Sequence, residues 1–282
     1  MKVFVKVNKA NASKTQDSGI MNAAKKITKC PQPRISPFVA WKSGIDQVLG
    51  LMLLIVAAPI IFVLTIIVRL TSKGPAIYSQ VRVGKNGKVF TMYKIRSMRT
   101  DAEAATGAVW AARKDPRITL VGTILRKLHL DELPQLYNVV RGDMSLVGPR
   151  PERPEFVDAL DRKIDGYSHR LLVKPGVTGY AQLNLPSDID LNDVRRKLVL
   201  DFEYIENASL WFDFRLIVGT AMKVFKLTGR IPLMLIGIYR ETETSQWAVP
   251  LRVSSDTIET QDQCLDTIFA LDKARVACGT KA

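Results

Sequence analysis

The feature that most constrains this chain is a long uncharged apolar segment. Val48–Val68 reads VLGLMLLIVAAPIIFVLTIIV, which is 21 residues without a charged side chain. As a straight α-helix it would extend for roughly 31 Å at about 1.5 Å per residue, which is enough to cross the hydrocarbon core of a bilayer. A buried helix of a soluble domain is the alternative, but such helices rarely stay apolar on every face over this length. The segment therefore predicts membrane insertion.

Two features separate this segment from a simple spanning helix. Pro59 lies at its middle, where proline removes a backbone donor and kinks or breaks a helix. Both flanks are basic, since residues 1–42 carry nine Lys/Arg and one acid, and residues 69–100 carry eight Lys/Arg and no acid. The positive-inside rule leaves one side of a spanning helix poor in such charge. The pattern is equally compatible with a segment that turns at Pro59 and leaves by the same face, and with a kinked spanning helix.

The net charge of +14 is concentrated at the N-terminal end of the chain. Residues 1–100 contain 17 basic and two acidic residues, a formal charge of +15, whereas residues 101–282 contain 24 and 25, a formal charge of −1. No RNA- or DNA-binding module is recognisable, and the basic third adjoins the apolar segment. We therefore expect it to contact anionic membrane lipid and no nucleic acid. Three widely spaced cysteines and two histidines predict neither a disulfide framework nor a multi-histidine metal centre.

The pattern divides the chain into four parts. They are a basic arm over residues 1–40, the membrane helix over 41–73, a folded domain over 74–228 and a C-terminal extension over 229–282. The folded domain is predicted to contain a hairpin over 76–95 around Gly84–Gly87, a helical region over 117–141, a loop over 170–184 and two helices over 192–228, the second beginning at Ser209. The aromatic and basic side chains of that last helix suit either the membrane interface or a packed core.

Candidate chemistry is concentrated in Leu125–Glu152, which reads LRKLHLDELPQLYNVVRGDMSLVGPRPE. Asp131 and Glu132 precede a helix-like segment that has Pro134 in its first turn and Gly142 at its end. The apolar side chains that follow have a helical spacing and predict one buried face: Leu133, Leu136, Tyr137 and Val140.

Asp131 has two interpretations at this position. A carboxylate at a helix start caps the helix and stabilises it by roughly 0.5–2 kcal/mol. Alternatively, the helix start suits phosphate, and an ionised carboxylate there could attack phosphorus or hold a divalent cation. His129 lies two residues earlier, a spacing that does not share a helix face, so we interpret it as incidental. Basic side chains that could clamp phosphate oxygens stand around the pair in sequence: Lys94, Arg96, Arg126 and Arg150.

At this point the chain resembles a known family, the monotopic phosphoglycosyl transferases, which are bacterial sugar transferases that start glycan assembly on a polyprenyl phosphate. The resemblance extends from about Lys42 to Leu227 and includes QVRVGKNGKVF, KIRSM, DPRIT, LDELPQ, GDMSLVGPRP and KPGVTGYAQLN. It implies an α+β, helix-rich monotopic membrane protein whose re-entrant helix bends at Ala58 and Pro59. A cytoplasmic catalytic domain over residues 74–228 would carry the small β-hairpin and interfacial helices.

The resemblance also implies a two-step transfer. Asp131 attacks the β-phosphorus of a UDP-sugar and releases UMP, and polyprenyl (undecaprenyl) phosphate then attacks the phosphosugar held on Asp131. Mg²⁺ is the expected cofactor, with Glu132 as its protein ligand. The family motifs carry over these phosphate- or substrate-binding candidates: Lys94, Arg96, Arg126, Arg150 and Gln182.

The implied location is the bacterial inner (cytoplasmic) membrane, with the catalytic domain and both termini on the cytoplasmic side. The reaction would be the first membrane step in the synthesis of exopolysaccharide or another surface glycan. The motifs do not specify the transferred sugar or the oligomeric state, and a homo-oligomer is one of the possible states. A non-catalytic, membrane-tethered scaffold or lipid-binding relative is the alternative to an enzyme.

Two departures from the family pattern concern the candidate binding loop and the bend. Many relatives continue the AQ-N loop with an arginine, whereas residues 184–187 here read Asn-Leu-Pro-Ser. Substitution of the missing charge by Arg195 or Arg196 is a hypothesis. Many relatives carry serine before the bend proline, where this chain has Ala58. The second change removes a side chain that could hydrogen-bond the interrupted helix backbone.

Overall fold

The computed structural model of the protein describes residues 30–100, 102, 115–186, 191–224 and 230–240. The chain divides into Met1–Pro31, of which Cys30 and Pro31 are described, and Gln32–Ala282, which contains every element below. Most of the predicted basic arm (1–40) and most of the predicted extension (229–282) lie outside the described residues. The four-part division of the chain stays a prediction.

Helix α1, Phe38–Thr71, contains the apolar segment and continues through Pro59. It is the one helix in the described part of the chain that is long and apolar enough to cross a membrane. Its buried residues follow one helical face along its whole length: Phe38, Lys42, Asp46, Gly50, Ala57 and Val68. Large apolar side chains such as Ile55 and Phe62 are exposed on the other faces. The bend at Ala58 and Pro59 stays a prediction.

The predicted hairpin is confirmed. Strands β1 (Ile77–Val83) and β2 (Val89–Ile95) pair antiparallel, with Gln80 opposite Met92, and a short 3-10 turn at Lys85–Gly87 joins them. The strands are rich in β-branched and aromatic residues, and glycines flank the turn, so the local signal was strong.

The predicted helical region over 117–141 is divided into three parts. Helix α2 (Leu120–Lys127), a 3-10 turn (Leu130–Glu132) and helix α3 (Gln135–Arg141) replace a continuous helix, because His129 adopts a left-handed conformation with φ 54°. Gly142 ends α3 at φ 81°, as predicted. The buried face predicted for this helix is partly wrong. Leu136 is buried as predicted, but Tyr137 is 47% exposed, because α3 turns Gln135, Asn138 and Val139 inward.

The predicted loop over 170–184 is wrong, because this stretch contains regular structure. A 3-10 helix (Tyr167–Leu172) precedes strand β4 (Gly176–Thr178) and helix α5 (Tyr180–Asn184). Strand β4 pairs in parallel with β3 (Ser145–Val147). A Cβ added at Gly176 would lie 2.1 Å from the amide nitrogen of Gly148, so only glycine permits this close approach. Elements this short have too few residues to show a period.

The remaining helices surround the core. Helix α4 spans Pro154–Lys163, α6 spans Leu191–Asn207, α7 spans Leu210–Val224 and α8 spans Arg230–Leu235. The predicted start of the last long helix is confirmed, because the Ser209 hydroxyl accepts a hydrogen bond from the Phe212 amide at 3.2 Å. The main core joins α1, α3, β3, α5, α6 and α7, and includes Val139, Leu146, Leu200, Tyr204 and Leu216.

Candidate active site

The paired acids lie in the 3-10 turn between α2 and α3. Asp131 and Glu132 are in its first turn, and the left-handed His129 precedes it. Pro134 occupies the position before α3 without a side-chain cap. Asp131 therefore stands one short turn ahead of the helix that the sequence assigned to it, and the structure gives no capping bond from its side chain to α3.

Glu132 is held by two cations from distant parts of the chain. Its Oε1 accepts hydrogen bonds from Lys94 Nζ at 2.8 Å and from Arg150 Nη2 at 2.9 Å. Lys94 comes from β2, and Arg150 from the loop after β3. Burial acts to raise the pKa of Glu132, but the charges of Arg150 and Lys94 outweigh it and hold the pKa well below its usual value. Glu132 is therefore a firmly ionised carboxylate.

Asp131 has the opposite electrostatic environment. Its side chain is buried, with 6% of the residue exposed. Burial, and then the negative charge of Glu132, raise the pKa of Asp131, while Lys94 and Arg126 oppose the shift. Two adjacent carboxylates with pKa values moved in opposite directions are typical of sites where one carboxylate reacts and the other fixes charge.

The other predicted binding residues are distributed unevenly around this pair. Arg126 lies close enough to Asp131 to lower its pKa. Gln182 accepts a hydrogen bond at its backbone oxygen from Lys223 Nζ at 2.7 Å, and its side-chain Oε1 is buried without a hydrogen-bond partner. Arg96 instead donates to Ser72 at the end of α1.

Two residues that sequence reasoning set aside belong to this neighbourhood. Burial lowers the pKa of Lys223. The charge of Arg150 lowers this pKa further, and the charge of Glu132 opposes the shift. Burial also lowers the pKa of His129, the charge of Glu132 opposes this shift, and the charge of Lys223 adds to it. The sequence grouped Lys223 with the interfacial basic residues and treated His129 as incidental. A lysine in the last turn of α7 carries no local signal that distinguishes it from a solvated one.

A second ion network holds the loop that carries Arg150. Glu152 accepts from Lys197 Nζ at 2.7 Å and lies 3.6 Å from Arg82 Nη1. Arg170 donates to the backbone oxygen of Arg150 at 3.0 Å and pairs with Asp201 at 2.8 Å. Burial acts to raise the pKa of Glu152, but Lys197, Arg170 and Arg82 lower it to about 2. These contacts hold the backbone at Arg150 and the side chain of Glu152 two residues later.

The residues fit a divalent cation that arrives together with phosphate. No group of three or more His, Cys, Asp or Glu side chains is arranged around a common point in the described part of the chain. Magnesium, however, is commonly bound through one or two carboxylates plus substrate phosphates and water. Asp131 and Glu132 supply two such carboxylates, and a cation bound there would oppose the effects of burial and of the Glu132 charge on Asp131. Mg²⁺ stays a prediction.

Replacing Glu132 by glutamine is expected to lower the free energy of unfolding by about 1–3 kcal/mol, because Lys94 and Arg150 lose their shared carboxylate. The depressed pKa of Glu132 stabilises the fold above the ordinary value of 4.5, and this contribution is lost as the pH falls below it. The difference in the free energy of unfolding between wild type and variant should therefore become smaller at acidic pH. Urea unfolding in detergent micelles measures this. The matched control is Glu155→Gln, an exposed carboxylate that lies 3.6 Å from Arg153, which we expect to change stability by less than about 0.5 kcal/mol.

Comparison with known proteins places the chain among transferases. The family model described as bacterial sugar transferase matches residues 38–227. A putative undecaprenyl-phosphate N-acetylgalactosaminyl 1-phosphate transferase of Bacillus subtilis (strain 168) is 50% identical over 134 residues, which is 48% of this chain and 74% of that protein.

Longer relatives match over the same part of the chain. The UDP-N-acetylgalactosamine-undecaprenyl-phosphate N-acetylgalactosaminephosphotransferase of Aeromonas hydrophila is 42% identical over 195 residues, 69% of this chain and 45% of that protein. The UDP-glucose:undecaprenyl-phosphate glucose-1-phosphate transferase of Escherichia coli (strain K12) is 39% identical over 186 residues, 65% of this chain and 40% of that protein. The chain thus spans less than half of these two proteins. The family match and the Bacillus relative agree with the resemblance that the motifs indicated, and the chain belongs to the bacterial sugar transferase family.

Proposed function

We propose that this protein is an enzyme that transfers a sugar-1-phosphate from a UDP-sugar to polyprenyl (undecaprenyl) phosphate, releasing UMP. The products would be UMP and a polyprenyl diphosphosugar, the starting unit of an exopolysaccharide or another surface glycan. The relatives support the general reaction, since their names specify sugar phosphate transfer to undecaprenyl phosphate.

The observation that carries the proposal is the contrast between Asp131 and Glu132. Glu132 is neutralised by two cations, whereas Asp131 is buried beside it with a raised pKa. A buried carboxylate of raised pKa is more basic than an ordinary one, and basicity favours attack on phosphorus. Both residues lie inside the region that the family model matches.

The transfer proceeds in two displacement steps at the same phosphorus atom. A carboxylate oxygen of Asp131 forms a bond to the β-phosphorus of the UDP-sugar, and the bond from that phosphorus to the bridging oxygen breaks. UMP leaves with the electron pair. A phosphate oxygen of the polyprenyl phosphate then bonds to the same phosphorus, and the bond to Asp131 breaks, which restores the carboxylate.

The cations around the pair stabilise the charge on the phosphoryl oxygens. Lys94 and Arg150 are fixed through Glu132, so their N–H groups are oriented before substrate binds. Arg126 and Lys223 supply further positive charge near Asp131 and Glu132. Asp131 and Glu132 would hold Mg²⁺, which supplies charge neutralisation to the transferring phosphoryl group.

Helix α1 would bring this site to the lipid acceptor. Near its start, Lys42 pairs with Asp213 of α7, and near its end Val68 packs with Ile95 and Leu125. Both ends of the apolar helix thus contact the same folded domain. This supports a re-entrant helix in the bacterial inner membrane, with the domain and both termini on the cytoplasmic side.

Helix α7 has one face for each of the two interpretations that the sequence left open. Phe212 and Leu216 are buried in the core, whereas Trp211 and Phe214 are exposed and stack with ring centroids 5.5 Å apart. Exposed aromatic side chains suit the level of the lipid head groups. The proposed membrane contact of α7 therefore involves only its outer face.

Tags at residues 10 and 90 are expected to be inaccessible from the periplasm, because both flanks of α1 carry clusters of Lys and Arg. Labelling with a membrane-impermeant reagent in intact and in lysed spheroplasts measures this. A periplasmic tag on a known secreted domain is the positive control. Tags on opposite sides of the membrane would show that α1 spans the bilayer.

The reaction is tested by UMP release. Membranes that contain the full chain are incubated with Mg²⁺, undecaprenyl phosphate and, in turn, UDP-N-acetylgalactosamine, UDP-glucose or UDP-galactose. One donor should yield UMP together with a lipid-linked sugar. The absence of UMP with every nucleoside diphosphate sugar tried would instead favour a non-catalytic, membrane-tethered relative.

A further inference from the structure

Arg96 is a buried cation whose hydrogen-bonding groups are only partly used. The residue follows β2 and is 6% exposed. Its Nη2 donates to the backbone oxygen of Ser72 at 2.9 Å and to the Ser72 hydroxyl at 2.6 Å. Its Nε and Nη1 are buried without a hydrogen-bond partner. Because an unpaired buried donor is costly, these remaining N–H groups indicate a ligand.

Arg69 adds a second positive charge at the same place. It lies in the last turn of α1, and its Nη1 donates to the backbone oxygen of Gly74 at 3.1 Å. Burial lowers the pKa of Arg96, and the charge of Arg69 lowers it further, so the two guanidinium groups repel each other. Neither arginine pairs with a carboxylate within the described part of the chain. Capping of α1 accounts for one nitrogen of each side chain. The remaining nitrogens of Arg96 are buried and unpaired, whereas Arg69 is exposed and free to reach a ligand at the surface.

Gly74 lets Arg96 approach this turn closely. Its φ is +106°, and a Cβ added there would lie 2.5 Å from Arg96 Nη1. Only glycine adopts this conformation readily and leaves room for the guanidinium group. The turn from Ser72 to Gly74 thus fixes the position of the unpaired donors.

An apolar cleft adjoins Arg69. It has a volume of about 300 Å³ and lies along the last turns of α1. Its lining is Thr65, Ile66, Arg69, Leu70 and Ala76. Arg69 belongs both to the cleft and to the charged pair. A ligand that carries an anion at one end of an apolar chain matches this combination.

We propose that Arg69 and Arg96 bind the phosphate of the polyprenyl phosphate acceptor, and that the cleft takes the part of its chain next to the phosphate. This inference rests on the proposed function. A phosphate monoester carries a charge of about −1.5 to −2 near pH 7, which matches two guanidinium groups, whereas the phosphodiester of an ordinary phospholipid carries only about −1. We therefore commit to the acceptor and not to the bulk lipid.

The position of the site also favours the acceptor. Arg96 stands two residues after Lys94, whose Nζ contacts Glu132. Two residues along an extended strand span roughly 7 Å. The proposed acceptor site therefore belongs to the same stretch of chain that supplies Lys94 to the candidate catalytic pair.

The proposal is tested by equilibrium binding of radiolabelled undecaprenyl phosphate to the full chain in phosphatidylcholine-containing micelles, without a sugar donor. Arg96→Gln should raise Kd by about 10- to 100-fold, since a hydrogen-bonded charge pair is lost. The matched control is Lys73→Gln, an exposed cation in the same turn, which should change Kd by less than about twofold.

Gly74→Ala should raise Kd without removing a charge. Undecaprenol and phosphatidylglycerol should compete at least about tenfold more weakly than unlabelled undecaprenyl phosphate.

Equal Kd values for Arg96→Gln and Lys73→Gln would overturn the proposal, and so would equal competition by phosphatidylglycerol. Circular dichroism verifies folding, and Arg96→Lys, which keeps the charge, replaces any variant that fails to fold and should give an intermediate Kd. A role limited to capping α1 predicts lower thermal stability with an unchanged Kd, which also overturns the proposal. The proposed function is tested by a different experiment. If it is wrong, the wild-type protein releases no UMP, whatever the Kd measurements show.

Discussion

Asp131→Asn is expected to abolish UMP release while leaving the protein at least as stable as wild type. The amide cannot form the bond to phosphorus, so we expect transfer to fall by at least about 10³-fold. Burial and the neighbouring Glu132 raise the pKa of Asp131, so its ionised form destabilises the folded state at any pH above that value. A neutral amide removes this unfavourable charge. UMP release from the donor that wild type accepts, together with thermal unfolding, measures both effects.

The matched control is Asp158→Asn, an exposed aspartate of α4, which should retain wild-type activity. The pH dependence gives an independent check. Activity requires ionised Asp131, so the rate should fall as the pH decreases through its pKa, and this acidic limb should lie above the ordinary value of 3.8. If Asp131→Asn releases UMP as fast as wild type, Asp131 is not the nucleophile. If the variant also unfolds more easily, its carboxylate has a structural role.

The parts of the fold that could be predicted are those with local signals. The hairpin follows from alternating strand residues around a glycine turn, and the C-terminal end of α3 follows from Gly142. The long apolar helix follows from composition alone. The family resemblance was readable because its motifs are continuous stretches of sequence, and the match over residues 38–227 confirms it.

The electrostatic character of the site could not be predicted in this way. Lys94 and Arg150 are 38 and 18 residues from Glu132, so their shared contact exists only in the folded chain. The sequence suggested phosphate-clamping roles for both, yet gave no reason to pair them with the same carboxylate. The break at His129 was also missed, because a left-handed histidine has no distinct sequence signature comparable to that of glycine.

A buried ion network at the start of α1 was missed for the same reason. Lys42 Nζ lies 3.0 Å from Asp46 on its own helix and also donates to Asp213 of α7. The other oxygen of Asp213 accepts from the Tyr204 hydroxyl at 2.8 Å, and Asp46 accepts from the Ser145 hydroxyl of β3. In sequence Lys42 is one more basic residue beside a membrane segment. In the structure it joins α1 to α7, and Asp46 joins the same network to β3, the strand that precedes the loop carrying Arg150.

Lys42→Met is expected to lower the free energy of unfolding by about 3–5 kcal/mol, because it leaves two buried carboxylates without their cation. Burial already raises the pKa of Asp213, and Lys42 opposes that shift, so the variant should raise this pKa further. Protonation of Asp213 then relieves the repulsion, and the stability deficit should shrink as the pH is lowered through that pKa. Denaturant unfolding in detergent at about pH 8 and about pH 5 measures the change.

The matched control for this prediction is Lys88→Met, an exposed lysine after the hairpin turn, for which we expect a change of less than about 0.5 kcal/mol. Adding Asp213→Asn to Lys42→Met should recover part of the loss, since the amide oxygen can still accept from Tyr204 without a charge. If Lys42→Met is no less stable than Lys88→Met, the network does not hold α1. The apolar face of α1 would then be enough to attach the helix to the domain, because Gly50 and Val139 already pack there in close contact.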